Sequence, residues 1–146
     1  MARKSLFRNK IFGGLCAYTG AFPVDRDSEF KGSGAFKRVF QVIKDKEVLV
    51  MYPESTRTID GKLRDFMPGL ARIALMTGTT VVPSTINGAH KAWPKGKAVP
   101  TLFKKISVIY HKPIRVEKCK DKAVLEQKIE ELNKQIKQVV EQGLDK

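Results

Sequence analysis

The residues with the most evident chemistry lie in the stretch Tyr52-Pro53-Glu54-Ser55-Thr56-Arg57-Thr58. An apolar run over residues 48–52 leads into it, and this run predicts a central strand that is buried on both faces. Ligands of open α/β sheets bind beyond the carboxyl ends of the strands, so a site is expected here. Arg57 can bind a phosphate through two N–H groups, and Glu54 can pair with the arginine. The stretch therefore predicts an anion site, with a capped turn and a surface salt bridge as the alternative.

A second arginine, Arg26, lies in the cluster Phe22-Pro23-Val24-Asp25-Arg26-Asp27. The cluster follows a short extended piece predicted over residues 21–25. Alone it is typical of a charged turn. Taken with Arg57, it leads us to expect that the two guanidinium groups converge on one ligand.

The elements that must position these residues follow from hydrophobic spacing. Apolar residues at helical intervals predict an amphipathic second helix, and Pro68 and Gly78 bracket a helix that is apolar throughout. The β-rich segment that follows this helix contains Pro83, which should lie at its end or at a bulge. The C-terminal helix is predicted to pack on the sheet, and a coiled-coil seam is less well supported. The other predicted helices cover residues 4–17, 34–45 and 121 onward, and the predicted strands cover residues 48–52, 79–86 and 106–110.

Alternating strands and helices predict an α/β fold, a layered sheet flanked by helices in which the sheet is at least partly parallel. The 146 residues, of which 42% are hydrophobic, suit one domain spanning residues 1–146. The chain has 28 basic and 15 acidic residues, a net charge of +13, so an anionic partner is expected. The excess is largest over residues 73–118, with 8 basic residues and 1 acidic residue. The two cysteines form no C-x-x-C pair, so metal and redox sites are poorly supported.

The order of these motifs resembles that of the glycerolipid acyltransferases, and most of all the bacterial 1-acylglycerol-3-phosphate acyltransferases. The sequence has F-P-V-D-R, an amphipathic helix, an apolar strand with P-E-x-T-R, then D-G-K and P-G before a buried helix, and then V-V-P. Its opening M-A-R-K-S-L-F is similar to an M-A-K-x-E-L-F segment of that branch. The resemblance covers residues 1 to about 115 and implies the glycerol-3-phosphate acyltransferase-like fold, N-terminally incomplete.

The resemblance implies transfer of a fatty acyl chain from an acyl carrier protein or coenzyme A thioester to lysophosphatidic acid, giving phosphatidic acid. It implies no metal and no prosthetic group. Arg3 stands where the family has a phosphate-binding lysine, and Val82 and Pro83 match a block that is linked to the acyl pocket. The residues implied to bind the substrate phosphate are Arg3, Arg26, Glu54, Ser55, Thr56 and Arg57.

The sequence departs from the family pattern at two places. Ser55 replaces the glycine of E-G-T-R, and a side chain there would cost about 1 kcal/mol if the position needs a positive φ. The family's general base is the histidine of an H-x4-D motif. Here Lys95 comes five residues after His90, and Val116 comes five residues after His111. A positioned base contributes roughly 10²–10⁴-fold, so we expect impaired transfer by a chain that lacks the upstream catalytic segment.

Residues 87–102 are predicted to form a loop that contains prolines, glycines and Trp93. Lysines lie within this loop and just after it. Tryptophan with lysines suits the interface of an anionic membrane, so a peripheral location on the cytoplasmic face of the cell membrane is expected. A solvated basic loop is the alternative. No nucleic acid is expected, because the strands lack interleaved basic and aromatic residues. The alternatives to the enzyme are a catalytically inactive phosphate- or lipid-binding remnant and, less favoured, a basic nucleic-acid-binding domain.

Overall fold

The computed structural model describes residues 2–3, 10–24, 34–97 and 99–144 of the chain. The chain forms two compact units, Met1–Met51 and Tyr52–Lys146. Each unit is built from both helices and strands, which confirms the predicted α/β class. Across the described ranges, none of the helices joins enough length to enough apolar character to cross a bilayer.

The first unit contains a parallel strand pair and two helices. Strand β1 (Ala2–Arg3) pairs with β2 (Pro23–Val24), so Arg3 lies opposite Val24. Helix α1 (Lys10–Tyr18) ends where Gly20 adopts a φ of 73°, as predicted, and residues 4–9 of the predicted helix lie outside the described residues. Helix α2 (Gly34–Lys44) buries Val39 and Val42, which confirms its amphipathic pattern.

The predicted central strand at residues 48–52 is wrong. These residues adopt no strand conformation, and Val48 is 89% exposed. A central strand needs a hydrogen-bonded neighbour on each side. The two sheets of the described residues contain two strands each, and neither sheet includes residues 48–52. Within the described ranges, the apolar run thus has the composition of a buried strand but joins neither sheet.

The core of the second unit lies between two helices. Helix α3 (Gly69–Thr77) follows Pro68 and ends at Gly78 in the left-handed conformation, as the bracketing residues predicted. Helix α5 (Lys122–Gln142) starts at Asp121, whose carboxylate accepts the N–H of Ala123 at 2.8 Å. Contrary to the prediction, α5 packs chiefly on α3 and touches the sheet less. The core side chains are Ala71, Ala74, Leu75, Ile129, Leu132, Ile136 and Val140.

An antiparallel strand pair completes the second unit. Strand β3 (Ser84–Asn87) pairs with β4 (Ser107–Tyr110) in the register Ser84↔Tyr110. The predicted strand at residues 79–86 is shortened, because β3 begins only at Ser84. Pro83 lies just before β3, outside its ladder, and its carbonyl accepts the N–H of His111. Buried Thr85 ties the pair to the end of α5, because its hydroxyl donates to the carbonyl of Val140 at 2.8 Å. The same carbonyl, in the last turn of α5, also accepts the N–H of Gly143 at 3.1 Å, so Thr85 adds a second bond at the end of the helix.

Candidate functional site

The predicted anion-binding stretch lies in a loop of residues 53–67, which we call the arginine loop. Its two ends meet where the N–H of Met67 donates to the carbonyl of Pro53 at 2.8 Å. A second cross-link forms where the N–H of Arg64 donates to the Glu54 carboxylate at 3.0 Å. Glu54 therefore holds the two arms of the loop together, rather than pairing with Arg57 as the sequence suggested.

Ser55 turns the chain at the start of the arginine loop. Its φ is +59°, a left-handed conformation that side chains other than glycine rarely adopt. From the sequence we expect a cost for a side chain here if the backbone needs a positive φ. The backbone does have a positive φ, so Ser55 is strained. Across the described part of the chain, neither the hydroxyl of Ser55 nor that of Thr56 is hydrogen-bonded. Both hydroxyls are free to donate to a ligand.

Arg57 is held against Trp93, which comes from a different part of the second unit. The guanidinium carbon lies 5.0 Å from the centroid of the indole ring, within the range of a cation–π interaction. One guanidinium nitrogen also donates to the Trp93 carbonyl at 3.4 Å, a long hydrogen bond. Most of the N–H donors of Arg57 therefore remain available to an anion.

Trp93 is itself held by one backbone hydrogen bond and one hydrogen bond of its ring. It follows the short helix α4 (Ala89–Ala92), and its backbone N–H donates to Ala89 at 2.9 Å. Its indole N–H donates to the carbonyl of Lys97 at 2.8 Å. The ring is thus a rigid platform beneath the guanidinium group of Arg57.

The middle of the arginine loop is a tight turn around Asp60. The Asp60 carboxylate accepts the Thr58 hydroxyl at 2.7 Å and the N–H of Lys62 at 3.1 Å. The Thr58 hydroxyl and then the Lys62 N–H hold the pKa of Asp60 below its ordinary value, because both hydrogen bonds favour the ionised carboxylate. Gly61 has a φ of 82°, and a Cβ there would lie 3.1 Å from the His90 ring. A groove of about 500 Å³ borders the turn, lined by Thr58, Ile59, Asp60, Lys62, Leu63 and Arg64.

The other predicted site residues lie apart from the arginine loop or outside the described residues. Arg26 lies outside them, so its convergence with Arg57 stays a prediction. Arg3 is known by its place at the end of β1, opposite Val24. Val82 is half exposed and Pro83 is buried, both just before β3. The role of these two residues in an acyl pocket also stays a prediction.

The partnership of Trp93 with Arg57 could not be read from the sequence. The two residues are 36 positions apart, and the sequence grouped the tryptophan with nearby lysines instead. The pairing depends on α4 and the arginine loop lying side by side, which no local spacing encodes. In the described ranges, no group of three histidine, cysteine or acidic side chains lies together as metal ligands would.

Comparison with known proteins gives this arrangement a family. The family model described as Acyltransferase matches residues 1–87. The chloroplastic 1-acyl-sn-glycerol-3-phosphate acyltransferase LPAT1 of Arabidopsis thaliana is 30% identical over 119 residues, which cover 82% of this chain and 33% of that protein. A 1-acyl-sn-glycerol-3-phosphate acyltransferase of Streptococcus pneumoniae is 36% identical over 89 residues, which cover 60% of this chain and 31% of that protein.

A solved structure matches over nearly the whole chain. The 1-acyl-sn-glycerophosphate acyltransferase PlsC of Thermotoga maritima superposes with a TM-score of 0.72 at 23% identity, covering 97% of this chain and 53% of that one. At this identity the match shows a common fold. The chain thus spans about a third to a half of the length of the proteins it matches. Because the family model covers more than half of its 146 residues, the chain belongs to the acyltransferase family.

Proposed function

We propose that the chain provides the acceptor-binding part of a 1-acylglycerol-3-phosphate acyltransferase. The reaction transfers a fatty acyl group from an acyl carrier protein or coenzyme A thioester to lysophosphatidic acid and yields phosphatidic acid. The names of the matched relatives and the acyltransferase family model support this proposal. The substrate phosphate is assigned to the arginine loop.

The observation that carries the proposal is the guanidinium group of Arg57, positioned on the Trp93 ring with most of its donors free. A phosphate monoester presents several oxygens with negative charge, and a guanidinium fork binds two of them at once. The free hydroxyls of Ser55 and Thr56 are assigned to the remaining oxygens. Arg26 and Arg3 are assigned to the same phosphate on the basis of their places in the family pattern.

The transfer itself needs a base as well as a bound phosphate. The acceptor hydroxyl oxygen attacks the thioester carbonyl carbon, the hydroxyl proton passes to the base, and the carbon–sulfur bond breaks as the thiolate leaves and takes up a proton. Neither His90 nor His111 has an aspartate at the spacing of the family motif. A polypeptide restricted to these residues is therefore expected to bind the acceptor but to transfer acyl groups slowly.

The substrates and the charge of the chain suggest where it works. Lysophosphatidic acid and phosphatidic acid reside in membranes, and the chain carries a net charge of +13. We assign it to the cytoplasmic face of the cell membrane as a peripheral protein. Acyl carrier protein and coenzyme A are both acidic, so either donor suits the basic segment 73–118.

The proposal is tested with the fluorescence of Trp93, the single tryptophan of the chain. A short-chain lysophosphatidic acid is kept below its critical micelle concentration. Its phosphate should bind the Arg57 guanidinium, which lies over the Trp93 ring, and so change the Trp93 emission. The matched monoacylglycerol, which lacks the phosphate, should leave the emission unchanged. Equal responses to the two lipids would refute a phosphate site at Arg57.

A catalytically inactive phosphate- or lipid-binding protein is a second candidate, favoured by the missing H-x4-D motif. It differs from the first only in turnover. Incubation with lysophosphatidic acid and a radiolabelled acyl thioester distinguishes the two. Phosphatidic acid formation above the rate without protein supports the enzyme, and saturable binding without product supports the inactive form.

A further inference from the structure

We infer that residues 94–97 and 99–106 form a surface that docks on an anionic lipid bilayer. We call this surface the basic–apolar loop. The inference goes beyond the proposed reaction: it rests on the proposed location at a membrane, and it does not depend on the phosphate contacts of Arg57. The observations behind it are a loop with fixed ends, an exposed aromatic side chain on a strained backbone, and lysines on both sides of that side chain.

The loop has a defined frame. The N–H of Thr101 donates to the carbonyl of Ala92 at 2.7 Å, which brings the chain back to the end of α4. Further along, the Lys105 carbonyl packs directly against Gly88, whose φ is +79°. Loops whose ends are tied in this way present their side chains at fixed positions and are frequently functional.

The apolar side chains of the loop point into solvent. Phe103 is fully exposed, and its neighbour Leu102 is 73% exposed. Phe103 also has a φ of +62°, a conformation that costs a bulky residue more than a glycine. A large apolar side chain that is both strained and exposed lacks a folding role, so the observation indicates a binding role. Val99, on the same loop, is exposed as well.

The charged side chains of the loop select the partner. Lys95 and Lys97 precede the apolar residues, and Lys104 and Lys105 follow them, all exposed. Apolar side chains flanked by lysines match a bilayer, where the apolar groups enter the acyl boundary and the ammonium groups meet anionic headgroups. A single-stranded nucleic acid would instead require several aromatic platforms along a groove. The basic–apolar loop contains one aromatic residue, Phe103, and Trp93, which precedes the loop, is already covered by Arg57.

The test is cosedimentation of the full chain with two kinds of vesicle, phosphatidylcholine alone and phosphatidylcholine mixed with phosphatidylglycerol. Wild-type protein should bind the mixed vesicles, and less so as salt is raised. Phe103→Gly should lower the partition coefficient about tenfold, because it removes the aromatic ring that the proposal buries in the bilayer. The double variant Lys104→Glu/Lys105→Glu should lower it at least 25-fold, at about fivefold per lysine. Because glycine accepts a positive φ, Phe103→Gly should unfold at the same urea concentration as wild type or a higher one.

Matched variants elsewhere in the chain are the controls. Tyr18→Asn removes an aromatic side chain that is 90% exposed, and Lys128→Glu/Lys134→Glu makes the same charge change on α5. The partition coefficients of both control variants should lie within about twofold of the wild-type value. If wild type binds but the loop variants bind equally well, the docking surface is elsewhere and the membrane location stands. If wild type ignores anionic vesicles, or if single-stranded RNA removes it from them, the bilayer assignment fails.

Discussion

The arginine loop and the basic–apolar loop use the same backbone device for different ends. Each places a residue other than glycine in the left-handed conformation, Ser55 in the first and Phe103 in the second. The arginine loop is cross-linked by its own carboxylates and orients one guanidinium group towards a small ligand. The basic–apolar loop is tied at its ends and at the Lys97 carbonyl, and it presents apolar and basic side chains to solvent. The loop that is cross-linked by polar groups thus carries the proposed small-ligand site, and the loop with exposed apolar side chains carries the proposed membrane contact.

A third residue other than glycine with a positive φ, Lys46, lies at a helix end to which no ligand is assigned. Lys46 has a φ of 58° just after α2, where the N–H of Glu47 donates to Val42 and ends the helix. Glycine is the usual residue at such a helix end. Lys46 therefore serves as the structural control for the other two.

The largest effect is expected from Gly88→Ala, which breaks the frame of the basic–apolar loop. A Cβ at this position would overlap the carbonyl oxygen of Lys105, and the φ of +79° is strained for alanine. Unfolding in urea should show a loss of about 3 kcal/mol. Gly14→Ala is the control, because a Cβ meets nothing within 4 Å there, and it should be neutral or stabilising. Equal stability of the two variants would contradict the fixed frame.

The next effect concerns the platform beneath Arg57. Trp93→Leu removes the cation–π contact while leaving the backbone carbonyl in place, so the affinity for a short-chain lysophosphatidic acid should fall about fivefold. Trp93→Tyr keeps an aromatic face and should recover most of that affinity. Isothermal titration calorimetry measures both values. Identical losses in the leucine and tyrosine variants would show that the ring does not position the arginine.

Glycine substitutions at the three left-handed residues should each raise stability by a smaller amount. Lys46→Gly, Ser55→Gly and Phe103→Gly should each gain about 1 kcal/mol in urea unfolding. Their binding should differ, and this difference sharpens the comparison of the loops. Ser55→Gly should preserve or improve phosphate binding, and a large loss would show that the serine hydroxyl contacts the ligand. Lys46→Gly should change neither phosphate nor vesicle binding.

The smallest effect is a pH dependence that links the arginine loop to α5. Asp65 accepts a hydrogen bond from Lys137 at 2.7 Å, which lowers the pKa of Asp65 and raises the pKa of Lys137. The Asp65 contribution is therefore present above its unfolded pKa of 3.8 and is lost as the pH falls through its lower folded value. The Lys137 contribution is present below 10.5 and is lost as the pH rises through its raised folded value.

The Asp65–Lys137 pair is exposed, so the change in stability should be small. Urea midpoints of wild type and Asp65→Asn, measured from neutral to acidic pH, provide the check. The difference between the two proteins should shrink in acid. A constant difference across that range would mean that the ion pair does not contribute.

The sequence predicted best where a pattern is complete within one element. The helix between Pro68 and Gly78 needed only its own residues to be recognised, and the strand predicted at residues 106–110 forms at 107–110, where β3 supplies its partner. The apolar run at 48–52 was misassigned because a strand depends on partners that its own residues do not encode. The cross-link of Glu54 to Arg64 and the stacking of Arg57 on Trp93 were missed for the same reason, since each joins residues that are distant in sequence.

The most direct test is the affinity of a short-chain lysophosphatidic acid, measured by calorimetry for wild type, Arg57→Gln and Phe103→Gly. Removing the guanidinium should weaken binding about 30-fold or more, because hydrogen bonds between charged groups are lost. Phe103→Gly should bind within about twofold of wild type, since its side chain lies outside the proposed phosphate site. Undiminished affinity in Arg57→Gln, with its fold intact, would contradict the assignment of the substrate phosphate to the arginine loop.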